Sequence, residues 1–148
     1  MKSKEHITTY TVEVIRHHDA GHVAVEAWKD EKGNLRRCNG PYLTNYDEKG
    51  RKTLETFNVD LFDPFEDGRH PASIRYDPET GNVESEVYFN LSGQLHRYHG
   101  PATIHYDPET GEVVGEHFFI NGQRVDENGQ LVEDIGYEDP IFNLHPEP

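Results

Sequence analysis

Residues 74–89 read IRYDPETGNVESEVYF, and residues 104–119 read IHYDPETGEVVGEHFF. The second stretch opens thirty residues after the first. In both, side chains alternate in character. Ala72, Ile74 and Tyr76 are separated by Ser73 and Arg75, and Ala102, Ile104 and Tyr106 by Thr103 and His105. A period of two sends the larger apolar residues to one face of a strand and argues against a helix. The DPETG that follows is a turn by its chemistry. Asp caps the backbone, Pro presets φ, and Gly81 or Gly111 takes the left-handed position. Glu86–Phe89 and Glu116–Phe119 then read as return strands. The duplicated text is therefore a β-hairpin with its turn included. "SG" at Ser92 and "NG" at Asn121 close the next hairpins.

Working outward, the copies are phased on Pro41, Pro71 and Pro101, thirty residues apart. EAWKDEKGNLRR at Glu26 also aligns with EVYFNLSGQLHR at Glu86, sixty residues on. A fixed period of this size marks a repeat in which no single unit buries its own face. The predicted fold is all-β: an antiparallel meander of repeated β-hairpins with a period of about 30 residues, in one open or strongly twisted sheet. One domain spans 1–125, with an N-terminal hairpin at 7–28 and repeats at 26–57, 58–89 and 86–119. An acidic C-terminal tail occupies 126–148. Tyr46, Tyr76 and Tyr106 stand one per unit and are expected to form a ladder on one face. Trp28 and Phe57 are expected at the aromatic position of Tyr88 and Phe118. NVDLFDPFEDG, from Asn58, breaks the pattern and reads as a loop or a cover over one face.

Hydrophobic residues make up 33% of the 148, which predicts a thin core helped by eight Tyr, seven Phe and one Trp. No apolar run is long enough to span a bilayer, and MKSKEHITTY lacks the apolar stretch of a secretory signal. Cys38 is the single cysteine, so no intrachain disulfide forms. These features together point to a cytoplasmic protein with no membrane partner. Charge is uneven. Residues 1–52 hold 10 Lys/Arg against 8 Asp/Glu, and residues 53–148 hold 4 against 20. An acidic surface of this kind repels nucleic acid directly and suits a basic protein partner. It also keeps a β-rich chain soluble and guards sheet edges.

The third copy, LHRYHGPATIHY, resembles the HR-x-x-GPA repeats of bacterial and phage proteins, which are similar to MORN-type repeats. His96, Arg97, Gly100, Pro101 and Ala102 carry the match. The first copy reads Arg36, Arg37, Gly40, Pro41, Tyr42, and the second keeps Arg69, His70, Pro71 and Ala72. The resemblance covers roughly residues 26–125. It implies an extended β-meander that contacts protein or lipid, in some relatives as an antitoxin, and it implies no shared catalytic activity.

The candidate chemistry follows from these residues. RHHDAGH gathers His17, His18, Asp19 and His22, but adjacent histidines on an extended backbone diverge, whereas zinc needs convergent ligands. No metal site and no cofactor is expected. Arg36/Arg37, Arg69/His70 and Arg97 with His99 recur in kind. A planar cation at each step either stacks on the aromatics and bonds a carbonyl, or forms a row facing a partner. No nucleophile motif, phosphate loop or calcium loop is present, so an enzyme is not expected. The carboxylates of Asp77, Glu79, Glu84, Glu86, Asp107, Glu109, Glu112 and Glu116, with Arg97 and His99, are the expected partner-binding residues. The function predicted is a non-enzymatic acidic inhibitor of the antitoxin, immunity or phage anti-defence (anti-CRISPR) type. Its 20 acids in 53–148 match in order of magnitude the roughly 24 phosphate charges on about 40 Å of duplex, which makes nucleic-acid mimicry a candidate mechanism. The other expectation is a scaffold that forms a homodimer through its edge strands.

Overall fold

The computed structural model describes residues 9–19 and 21–132. Nine strands follow in chain order: β1 (Thr11–Arg16), β2 (Val23–Lys29), β3 (Leu43–Tyr46), β4 (Lys52–Thr56), β5 (Ser73–Tyr76), β6 (Val83–Val87), β7 (Thr103–Tyr106), β8 (Val113–Ile120) and β9 (Gln123–Val125). Each pairs antiparallel with its sequence neighbours, so the sheet order is β1 to β9 without a crossover. The sheet is an open meander and does not close into a barrel. The single helical element among the described residues is one turn, α1 (Val59–Phe62), in the segment that departs from the strand pattern.

The hairpins share their irregularities as well as their strands. The register slips between Asn45 and Tyr46, between Arg75 and Tyr76, and between His105 and Tyr106. A bulge placed ahead of each turn strengthens the local twist. Past the strand ends, the ladder continues through Trp28 N–H to Tyr42 O, Phe57 N–H to Ala72 O and Tyr88 N–H to Ala102 O, each at 2.8 Å. Trp28 and Phe57 thus stand at the backbone position of Tyr88.

A second turn type recurs four times. Asp30 Oδ1 accepts from the amides of Lys32 and Asn34, Asp47 Oδ1 from Lys49 and Arg51, Asn90 Oδ1 from Ser92 and Gln94, and Asp126 Oδ1 from Asn128 and Gln130. In each, a glycine three residues on (Gly33, Gly50, Gly93, Gly129) has φ between 80° and 83°, where a Cβ is strained. The fourth turn lies beyond Val125, inside the segment drawn from sequence as the acidic tail. Val125 bridges Leu131, and Val132 N–H bonds Arg124 O at 3.1 Å. The fold therefore runs on past residue 125; residues 133–148, like 1–8 at the start of the N-terminal hairpin, lie outside the described residues. Asp126→Ala removes the acceptor for two exposed amides and is expected to cost about 1 kcal/mol. Asn90 also donates to Gln94 Oε1 and Asn121 Oδ1 and is 5% exposed, so Asn90→Ala is expected to cost about twice as much. Urea denaturation of the two variants compares them directly.

The core is small, as the composition requires. Val87, Leu95, Ala102 and Phe119 form its buried centre, with Phe89 packed against them. A second cluster lies under α1, where Phe57 meets Phe62 at 5.1 Å and His70 at 4.4 Å between ring centroids. The buried carboxylate of Asp63 takes the Gly68 and Arg69 amides, each at 3.2 Å, and fastens the loop that follows.

Candidate interaction surface

One member of each recurring pair turns inward, whereas Arg36 pairs with Asp60 at 2.9 Å and Arg69 with Asp67 at 2.7 Å at the surface. Arg37 Cζ lies 3.6 Å from the Trp28 ring centroid, and Arg97 Cζ lies 3.9 Å from that of Tyr88. Each guanidinium also donates to the carbonyl of the phasing proline, Arg37 to Pro41 at 3.3 Å and Arg97 to Pro101 at 3.2 Å. In the middle unit His70 does this work: its ring meets Phe57 edge-on, and its Nδ1 donates to Pro71 O at 2.7 Å. One planar nitrogen-bearing group per unit thus joins an aromatic ring to a proline carbonyl. The glycine of the GP dipeptide follows from this clamp. A Cβ on Gly40 would lie 2.7 Å from Arg37 Cζ, and one on Gly100 would lie 3.0 Å from Arg97 Cζ. Arg97 reaches further, to Gly68 O at 3.2 Å, and so ties two units together. His96 is only 1% exposed, its Nδ1 accepts the Asn121 amide at 2.9 Å, and its ring meets Tyr98 edge-on. Of the basic residues expected to face a partner, Arg69 and His99 are exposed.

One face of the sheet carries a ruled line of carboxylates. The register runs Glu26–Thr44–Glu55–Ile74–Glu86–Ile104–Glu116 across β2 to β8. Alternate strands thus present a glutamate, about 10 Å apart at the usual strand spacing. The expected tyrosine ladder is interleaved with these acids. Tyr76 donates to Glu55, while Tyr106 at 3.1 Å and Tyr88 at 3.3 Å both donate to Glu86. Trp28 Nε1 donates to Glu26 at 2.7 Å in the first unit. Burial first, and Glu86 after it, push the Tyr88 phenol up to about 12. Burial and Glu55 push Tyr76 higher still, and Tyr46 and Tyr106 rise for the same reasons. These glutamates hold the face together, except Glu116, which is exposed.

The remaining acids line one end of the sheet, where the turns of the β3–β4, β5–β6 and β7–β8 hairpins sit side by side. Asp77 and Asp107 face into their own turns. Asp77 accepts from the Thr80 amide at 3.2 Å and the Thr80 hydroxyl at 2.9 Å, and Asp107 accepts from the Glu109 amide at 2.9 Å. Glu79, Glu84, Glu109 and Glu112 are exposed. Asn82 Nδ2 donates to Pro108 O at 2.7 Å and fixes the last two turns against each other. Arg51 approaches Glu79 at 3.3 Å from the neighbouring turn, a contact whose carboxylate side is 75% exposed. Of the ten residues expected at a partner site, the structure therefore gathers Glu79, Glu84, Glu109 and Glu112 along one margin. It places Glu86 and Glu116 on the adjoining face, uses Asp77, Asp107 and Arg97 to build the scaffold, and leaves His99 exposed beside the Arg97 clamp.

Among the described residues, no group of three His, Cys, Asp or Glu side chains is arranged to hold a metal ion. His17 Nε2 lies 3.0 Å from Tyr46 O, and the His22 ring lies against Gly50. A cleft of about 480 Å³ between Leu35, Phe57, Phe89 and Leu91 is open to solvent. No helix among the described residues is long and apolar enough to cross a membrane. Comparison with protein-family models, with curated proteins and with solved structures gives no match.

Proposed function

We propose that this chain is a non-enzymatic binding module that blocks a basic macromolecular partner along its acidic turn margin. The observation that carries this reading is the exposure of Glu79, Glu109 and Glu112 on adjoining turns locked together by the Asn82–Pro108 bond, with exposed Glu84 beside them at the start of β6. Because Asp77 and Asp107 fix those turns, the backbone that carries the glutamates is ordered before a partner arrives, and less ordering entropy is lost on binding. Nine strands at about 4.8 Å give a flank near 40 Å long, the scale of a protein surface. A field of one sign steers a basic partner and excludes acidic ones. An inhibitor of the antitoxin, immunity or anti-defence kind acts in this way when it occupies a basic surface that otherwise meets nucleic acid. The Arg97–Gly100–Pro101 cassette, which resembles MORN-like repeats, serves here as scaffold for that margin.

The test is affinity capture on the immobilised full chain at low and high salt, beside the triple variant Glu79→Lys/Glu109→Lys/Glu112→Lys. A partner is expected to be held at low salt, released at high salt and lost by the variant at both. Retention that ignores salt, or that survives the triple charge reversal, contradicts the proposal.

A further inference from the structure

β1 is the outermost strand on the N-terminal side of the sheet, and all six of its residues are exposed. Val12, Val14 and Ile15 are 42%, 47% and 58% exposed. The parity of its backbone follows from its neighbour. Trp28 sends its N–H to Tyr42 O, on the β3 side, so Val12, opposite Trp28, turns its own amide and carbonyl away from β2. Val14, opposite Glu26, has the same parity. Two amides and two carbonyls therefore point out from this edge. No proline interrupts the strand, Glu13 is paired with Lys29 at 3.0 Å, and the register slip of the β1–β2 pair lies at the strand's end, between Ile15 and Arg16, so the usual guards of an edge are weak over Thr11–Ile15. The opposite edge differs: β9 has three residues, and its outer side is met by Leu131 and Val132 of the same chain.

We infer that β1 pairs with β1 of a second copy, antiparallel about a two-fold axis at Val14, joining two nine-stranded sheets edge to edge. Charge selects this partner and this end. Residues 1–52 carry 10 basic against 8 acidic side chains, whereas residues 53–148 carry 4 against 20. Pairing through β1 brings near-neutral ends together and holds the two acidic margins as far apart as the sheets permit, beyond the ~8 Å screening length of physiological salt. The register follows from strand length and like-charge avoidance. An axis at Val12 would pair only residues 11–13 within β1, and an axis at Glu13 would set two carboxylates directly opposite, while an axis at Val14 pairs residues 12–16 and sets Val14 against Val14 and Glu13 against Ile15 of the second copy.

The experiment is sedimentation of the full-length chain over a range of concentrations, together with cysteine cross-linking in a Cys38→Ser background, since Cys38 is an exposed free thiol. The hydrogen-bonded pair at the axis has Cα atoms about 5.5 Å apart, within disulfide reach. The expected result is a concentration-dependent dimer that Val14→Cys traps under oxidising conditions, that Val12→Cys does not trap, and that Val14→Lys converts to a monomer with an unchanged circular dichroism spectrum. A chain that is monomeric at every concentration overturns the proposal, as residues 1–8 or another protein's strand on this edge would make it. A dimer that persists in Val14→Lys, or that Val14→Cys fails to trap, overturns it equally.

Discussion

Leu95→Ala is expected to lower the unfolding free energy by about 3 kcal/mol, while the same change at Leu35 or Leu131 lowers it by about 1 kcal/mol or less. The three leucines close equivalent turns, DEKGNL, NLSGQL and DENGQL, and each bridges the strand before its turn. Their surroundings differ. Leu95 is 4% exposed, Leu35 44% and Leu131 71%. What buries Leu95 is the β8–β9 hairpin that follows: Gly122 N–H bonds its carbonyl at 2.8 Å, and Phe119 of β8 shares its cluster. In a linear repeat each unit is stabilised by its neighbours, so one sequence position has a value that depends on its place in the row. His96→Ala belongs with Leu95→Ala, because it empties a buried site and leaves the Asn121 amide without its acceptor. Denaturant midpoints of the three leucine variants read this out, and equal losses at the three positions would exclude a core centred on the third unit.

Alkaline pH is expected to unfold the protein through its tyrosines. The Tyr88 phenol rises from its ordinary value of 10.0 to about 12 in the fold, because burial and Glu86 disfavour the phenolate. The unfolded chain therefore loses this proton first. Stability from Tyr88 is complete below pH 10 and is lost as pH rises through about 12. A difference of about two units corresponds to about 3 kcal/mol, and Tyr88 is buried at 5% exposure. Tyr76, Tyr46 and Tyr106 shift in the same direction and add to the loss. Phenolate absorbance and far-ultraviolet circular dichroism should change together in this range. Tyr88→Phe keeps a ring under Arg97 and removes the ionisable group, so its alkaline midpoint should move to higher pH. Free titration of all tyrosines near pH 10 with the sheet intact would remove the interleaved Tyr–Glu face.

The hairpins were legible because their information is local. Asp, Pro and Gly at fixed offsets specify the 77–81 and 107–111 turns without help from distant residues, and alternation over 72–76 and 102–106 specifies the strands. The clamp was half legible. The kind of residue recurred, but only the structure shows that His70, one residue before its proline, fills the place that Arg37 and Arg97 reach from four residues before theirs. The tyrosine–glutamate interleaving was hidden because it depends on the register of β4 with β5 and of β6 with β7, which single strands do not encode. The burial of His96 likewise depends on Asn121, 25 residues away. The turn at Asp126 was obscured by the acidic composition around it, although DENGQL repeats the letters of NLSGQL and DEKGNL. At the candidate site, exposed and engaged acids look alike in sequence. Asp77 and Glu79 are two residues apart, yet one caps a turn and the other faces solvent.

The most direct measurement is the salt dependence of binding between the full chain and its captured partner, for the wild type and for Glu79→Gln/Glu109→Gln/Glu112→Gln. If the turn margin is the binding surface, affinity falls steeply with ionic strength, and the neutralised variant binds more weakly with a shallower salt slope. An affinity that is flat in salt, or a variant that binds as the wild type does, would place the contact elsewhere on the molecule.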